Sequence, residues 1–195
     1  MKINKIVLIV YLFALFAIII KADYVFDPNN LQNGAVIPSE FSGDLKINQQ
    51  MDLVINGKQY SFGEGTELTV KAGKIIKFNG ILNSPGEIGG NLVSGKLEYD
   101  SNKYTFTDGF LNNIPIKNAK DITISGDIIS GMSNGETSIN GNKFSKNFGY
   151  SDKFTYDQKR NILSATKIGP FGFTSSTTLE EVNPETFLKG QFNIK

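Results

Sequence analysis

Three carboxylates carry the one spacing in this 195-residue chain that suggests ion chemistry. Glu98 and Asp100 flank Tyr99. If Tyr99 points inward on a strand, both acids point outward on one face, because successive side chains alternate. Asp121 lies 23 residues after Glu98, which is the period of a repeat described below, so it would occupy the same column one repeat further on. Three carboxylates separated by a strand spacing plus a diagonal would converge within roughly 5–7 Å. Oxygen clusters of that kind suit Ca²⁺. Glu98, Asp100 and Asp121 are therefore the candidate metal ligands, and calcium is the one candidate cofactor. The plain alternative is a solvated acidic strip, with Lys77 and Lys103 near enough to neutralise it. An EF-hand loop beginning at Asp100-x-Asn102 is excluded, since it lacks Gly at its sixth position.

Other chemistries lack their residues. Cys, His and Trp are all absent. That excludes disulfides, thiol nucleophiles, Cys/His zinc sites and any His-based triad. Ser145-Lys146 and Ser151-Asp152-Lys153 lie in strand-like sequence, with no following helix to present a Ser-x-x-Lys pair. Arg160 is the one Arg, and no Lys cluster follows a strand or helix face, so nucleic acid is not an expected partner. The expectation is a protein that is not an enzyme. Aromatics gather in the second half: Phe106, Phe110, Phe144, Phe148, Phe154 and Tyr156, then Phe171 and Phe173. They suit a bulky core or a platform on which sugars stack, and core is the expectation.

The elements that must position these residues show a repeat. Five Asn-Gly pairs stand at 33–34, 56–57, 79–80, 134–135 and 140–141, the first three at a step of 23. Continuing that step from Gly34 meets Gly57, Gly80, Gly126, Gly149 and Gly172, with Lys103 the one exception. A second column at the same step is β-branched throughout: Ile47, Val70, Val93, Ile116, Ile139 and Ile162. Within each row apolar and polar residues alternate, as in Leu68-Thr69-Val70, a turn at Ala72-Gly73, then Ile76-Lys77-Phe78. Period two is the strand period, and Gly and Asn supply the breaks because they tolerate positive φ.

The expected fold is all-β, a parallel β-solenoid of about six 23-residue coils with a C-terminal cap. In it the β-branched column would stack in register, and Asn33, Asn56, Asn79 and Asn102 would form an amide ladder at one corner. The alternative is a β-hairpin array or an irregular β-sandwich, since Asn-Gly is the strongest two-residue hairpin signal. Asp52–Ile55, Asn56-Gly57 and Lys58–Phe62 read naturally that way. A β-branched ladder with stacked Asn at a corner resembles the right-handed parallel β-helix of the pectin-lyase-like superfamily, in architecture alone and best over residues 33–126. Enzymes of that class usually act on polysaccharides with carboxylates, often with calcium. The resemblance therefore implies, as the second functional reading, a small calcium-assisted polysaccharide-active enzyme.

The two ends differ from the middle. Lys2 and Lys5 precede Ile6–Ile20, a run of 15 residues without charge, and Lys21-Ala22-Asp23 follows. As a helix this run would span roughly 22 Å, short of the roughly 30 Å of a bilayer core. Residues 1–22 are expected to be a signal peptide, or else a short N-terminal anchor. Without them the chain holds 17 Lys and Arg against 19 Asp and Glu, a net charge of −2. Residues 23–172 form the expected β-repeat domain, and 173–195 the cap. Within the cap, Asn183-Pro184-Glu185 to Gly190 has the start and stop signals of a short helix. The leading functional expectation is a secreted or cell-surface, non-catalytic scaffold, structural, adhesive or glycan-contacting. A surface glycan or another envelope protein would be its partner, with no membrane association after cleavage.

Overall fold

The computed structural model describes residues 26–145, 151–168 and 174–179. The expected signal peptide or anchor and the Asn183–Gly190 segment lie outside the described residues. The strands are β1 (Ala35–Ile37), β2 (Ser42–Lys46), β3 (Met51–Ile55), β4 (Lys58–Phe62) and β5 (Glu67–Lys71), then the longer β6 (Lys74–Ile88), β7 (Asn91–Asp100), β8 (Lys103–Leu111), β9 (Ile114–Ser125) and β10 (Ile128–Ile139), and finally β11 (Asn142–Ser145), β12 (Ser151–Asp157), β13 (Ile162–Ile168) and β14 (Thr174–Leu179). Among the described residues there is no helix, and none long and apolar enough to cross a membrane.

The all-β class therefore holds. The parallel solenoid is not confirmed, because the strand order is mixed and the ladders are largely antiparallel. One open sheet runs β1-β3-β4-β6-β7-β8-β9-β10-β12-β13-β14, with β5 and β2 attached to the first half of β6 and β11 to the end of β10. Among the described residues only β1 and β3 pair in parallel. The turns explain the direction. Asn56-Gly57, Ala72-Gly73, Ser101-Asn102, Asn112-Asn113 and Asn140-Gly141 each place two successive residues at positive φ. That is the type I′ turn, whose twist matches a two-residue antiparallel hairpin. Asn79-Gly80 and Asn134-Gly135, read as equivalent breaks, instead lie inside β6 and β10.

Antiparallel pairing also yields a step of 23 at the centre of the sheet. Strands β7 and β8 with their following turns occupy residues 91–113, which is 23 residues. Two strands of a meander return the chain to the same end of the sheet, so a core position recurs every second strand. The β-branched column is accordingly core without being a stack. Ile47, Val70, Val93, Ile116 and Ile139 are all buried. Yet Val70 pairs with Ile75 across its own hairpin, and Val93 with Leu111 and Gly86. The Asn ladder likewise does not form. Asn56 and Asn102 sit in the turns of separate hairpins, and Asn79 is an exposed member of β6 between Glu67 and Glu98.

The long strands bend at mid-length and share one interior. Register breaks interrupt β6–β7 between Leu82 and Gly86, β7–β8 at Lys96/Leu97, β8–β9 between Tyr104 and Phe106, and β9–β10 at two places. Bulges of this kind turn a strand and re-aim its side chains. The consequence is visible at Tyr104. It pairs with Tyr99 beside the Ser101-Asn102 turn, yet its hydroxyl donates at 2.8 Å to the carbonyl of Ile88, the last residue of β6, which pairs with Asn91 at the opposite end of β7. Ten extended residues would separate those ends by about 33 Å, so the hairpin is folded back on itself. Tyr156 repeats the device, accepting from Asn140 Nδ2 at 2.7 Å and donating to Asn161 Oδ1 at 2.7 Å. Phe62, Phe106, Phe154, Leu53, Leu82 and Leu97 fill the interior. Within the expected cap, Thr174–Leu179 adds to β13 as an antiparallel strand.

Candidate functional site

The outer face of β2, β5, β6 and β7 carries polar residues in two rows that run across the strands. Pairing places Asp44 beside Thr69, Thr69 beside Lys77, and Lys77 beside Asp100. Two residues along each strand, Lys46 lies beside Glu67, Glu67 beside Asn79, and Asn79 beside Glu98. The register follows from alternation: Leu45, Leu68, Phe78 and Tyr99 form the row between them and point into the core. Neighbouring side chains in a row stand about 4.8 Å apart.

A cleft of about 770 Å³ covers this face, lined by Asp44, Lys46, Glu67, Lys77, Glu98 and Asp100 among others. Its charges are partly paired. Lys46 meets Glu67 at 3.2 Å and Lys77 meets Asp100 at 3.2 Å. The Thr69 hydroxyl donates to Asp44 at 2.6 Å. The Ser101 hydroxyl at 2.9 Å, together with Lys77, holds the Asp100 carboxyl below the usual carboxylate range. Glu98 has no ion-pair partner among the described residues.

The sequence-derived ligand set divides between two places. Glu98 and Asp100 line the cleft together, as alternation around Tyr99 requires. Asp121 is apart from them. It lies in β9, with β8 between it and β7. In a meander the next repeat is two strands away, about 10 Å, where a solenoid would have made it adjacent. Asp121 has φ 52°, the left-handed conformation that Asp tolerates at an irregular strand position. Its carboxylate receives Lys103 Nζ at 3.3 Å. Lys77 and Lys103 thus sit on Asp100 and Asp121, the neutralising positions read from the sequence. Among the described residues no group of three or more acidic side chains is placed to hold a metal ion.

Among the aromatics singled out in the sequence, Phe106, Phe154 and Tyr156 are buried, and Phe144 packs partly buried against the core. Phe148, Phe171 and Phe173 lie outside the described residues. Phe110 differs: it is 50% exposed. It lines a hollow of about 350 Å³ with Pro85, Leu92, Val93, Ser94 and Asn113. The bulge at Lys96/Leu97 shifts the inward parity of β8, so that Leu111 is buried and Phe110 turns outward. No periodicity in the sequence marks that reversal.

Comparison with protein-family models, with curated proteins and with solved structures finds no match to the chain.

Proposed function

We propose that the protein is an extracytoplasmic, non-catalytic β-module that contacts glycans, laying a saccharide chain across the cleft over β2, β5, β6 and β7. The observation that carries this reading is the pair of cross-strand polar rows. Sugar hydroxyls both donate and accept, and they are matched by carboxylates, which accept, and by amides, which do both. Asn79 and Glu98 provide that combination side by side in the lining of the cleft. An open cleft crossed by polar rows suits an extended polymer better than a compact metabolite, for which an enclosed apolar pocket is usual. The extracytoplasmic address rests on Lys2, Lys5 and the uncharged run Ile6–Ile20 ahead of Ala22.

The test is a binding screen of residues 23–195 against immobilised polysaccharides, followed by titration of any that bind. The Asn79→Ala and Glu98→Gln variants are expected to weaken binding by about tenfold each, the loss of roughly one hydrogen bond to a charged or amide group. Both positions are exposed, so folding should be unaffected. Undiminished binding in both variants would remove the cleft from the reading, and an absence of binding to every polysaccharide would remove the glycan.

A further inference from the structure

The five Asn-Gly pairs share one chemical liability, and the fold treats them differently. We infer that Asn56 is a site of spontaneous deamidation in the folded protein, whereas Asn140, in the same local sequence and the same turn, is protected. The two segments read Ile55-Asn56-Gly57 and Ile139-Asn140-Gly141. Both pairs close type I′ hairpins, with φ of 50° and 72° at the first and 49° and 81° at the second. In both, the glycine N–H has no acceptor among the described residues. The backbone nucleophile is therefore equally available.

The reaction is internal. The Gly57 backbone nitrogen gives up its proton and attacks Asn56 Cγ. The N–Cγ bond forms, the Cγ–Nδ2 bond breaks, and ammonia leaves. A five-membered succinimide remains. Water then adds across one of its two imide C–N bonds, giving an aspartyl or an isoaspartyl residue at position 56. Water is the sole co-reactant and no redox change occurs.

What distinguishes the sites is the side chain that must rotate and lose ammonia. Asn56 is exposed, and its amide makes no hydrogen bond among the described residues. Asn140 is half-buried. Its Nδ2 donates to Tyr156 Oη at 2.7 Å and to Asn161 Oδ1 at 2.9 Å, and its own N–H donates to the Pro115 carbonyl at 2.9 Å. Cyclisation at Asn140 must break these bonds first. Asn33 is held in another way: its Oδ1 accepts from Asp52 N–H at 2.7 Å, and the Gly34 N–H that would attack is committed to the Asp52 carbonyl at 2.7 Å. Asn79 lies between two ladder partners inside β6. Asn134, at the register break of β10, is in a different backbone setting and is not a matched control.

The product would alter the molecule locally. Position 56 would gain a negative charge at the β3–β4 tip, against which the Gly73 turn packs. The isoaspartyl form would also add a backbone atom to a turn whose two residues set the hairpin register.

The experiment uses the full chain, incubated at mildly alkaline pH and 37 °C, with peptide mapping by mass spectrometry and enzymatic detection of isoaspartate. In the native chain, conversion at Asn56 should be about tenfold faster than at Asn140 or more, the rate equivalent of one to two hydrogen bonds. In urea the two rates should become equal, since the Ile-Asn-Gly context is the same. The Tyr156→Phe variant should accelerate Asn140 and leave Asn56 unchanged. Equal native rates, or faster conversion at Asn140, would overturn the inference. So would a ratio that persists unchanged in urea, because the difference would then lie in sequence and not in the fold.

Discussion

Thr66 shows how much one polar side chain can carry. It is completely buried where the β4–β5 connection meets β6. Its hydroxyl donates to the Gly63 carbonyl at 2.7 Å and accepts from Ile81 N–H at 3.0 Å. Valine has nearly the same shape and neither capacity. Thr66→Val would leave the part-buried Ile81 N–H without its acceptor and the Gly63 carbonyl with only the 3.4 Å bond from the residue-66 backbone N–H, and is expected to cost about 1–3 kcal/mol in all. Urea unfolding should show a lower midpoint at unchanged slope. An unchanged midpoint would mean that water reaches both backbone groups. Thr66 was not legible as special in the sequence. It precedes Glu67 in an ordinary polar stretch, and only the approach of Ile81, fifteen residues on, gives its hydroxyl a task.

At the scale of an element, the bend of β7 is the feature to test. Gly95 has φ 101°, and a Cβ there would meet the Asp108 carbonyl and Gly109 Cα, both rigid backbone. Gly95→Ala combines a disfavoured backbone angle with a clash that no side chain can relieve. A loss of about 1–3 kcal/mol or more is expected, read from thermal or urea melts. Asn113→Gly is the matched control: φ is 66°, the residue is exposed, and glycine adopts that angle freely, so stability should change by no more than about 0.5 kcal/mol. If Gly95→Ala proved as silent as the control, the bend would not depend on that close approach.

For the whole molecule, the folded-back hairpins make stability sensitive to alkali. Burial pushes the Tyr104 phenol up to about 12, with the Asn91 amide opposing the shift, against an ordinary value of 10.0. Burial also raises Tyr60 and Tyr99. The folded state therefore keeps phenolic protons that the unfolded chain loses above its own pKa. This contribution is fully present below pH 10 and is lost as the pH climbs towards about 12. Urea midpoints should be flat up to about pH 10 and fall steeply above it, with the Tyr104→Phe variant showing a shallower fall. A second whole-molecule measurement concerns calcium. With Asp100 and Asp121 held by lysines and set two strands apart, added Ca²⁺ is expected to leave the melting temperature unchanged. A rise that saturates with calcium would restore the cation reading of the acidic residues.

The amino-acid order by itself determined the strand class, several turns and much of the core. Period-two alternation depends only on neighbours in the chain, so it marks Val70, Val93, Ile116 and Ile139 as inward whatever the pairing. Asn56-Gly57, Ala72-Gly73 and Asn140-Gly141 were legible because positive φ is a property of single residues. Pairing direction was not. A column recurring every 23 residues is produced equally by one coil of a solenoid and by two strands of a meander, and the two differ only in which strand lies between. That one difference moved Asp121 away from Glu98 and Asp100 and dissolved the expected Asn ladder. It paired the amides of Asn91 with Asn112 and of Asn140 with Asn161 instead. The exposure of Phe110, the cleft over β2, β5, β6 and β7, and the protection of Asn140 were decided by the tertiary structure alone. Each depends on bends and bulges that bring together residues far apart in sequence, and no local propensity encodes such a meeting.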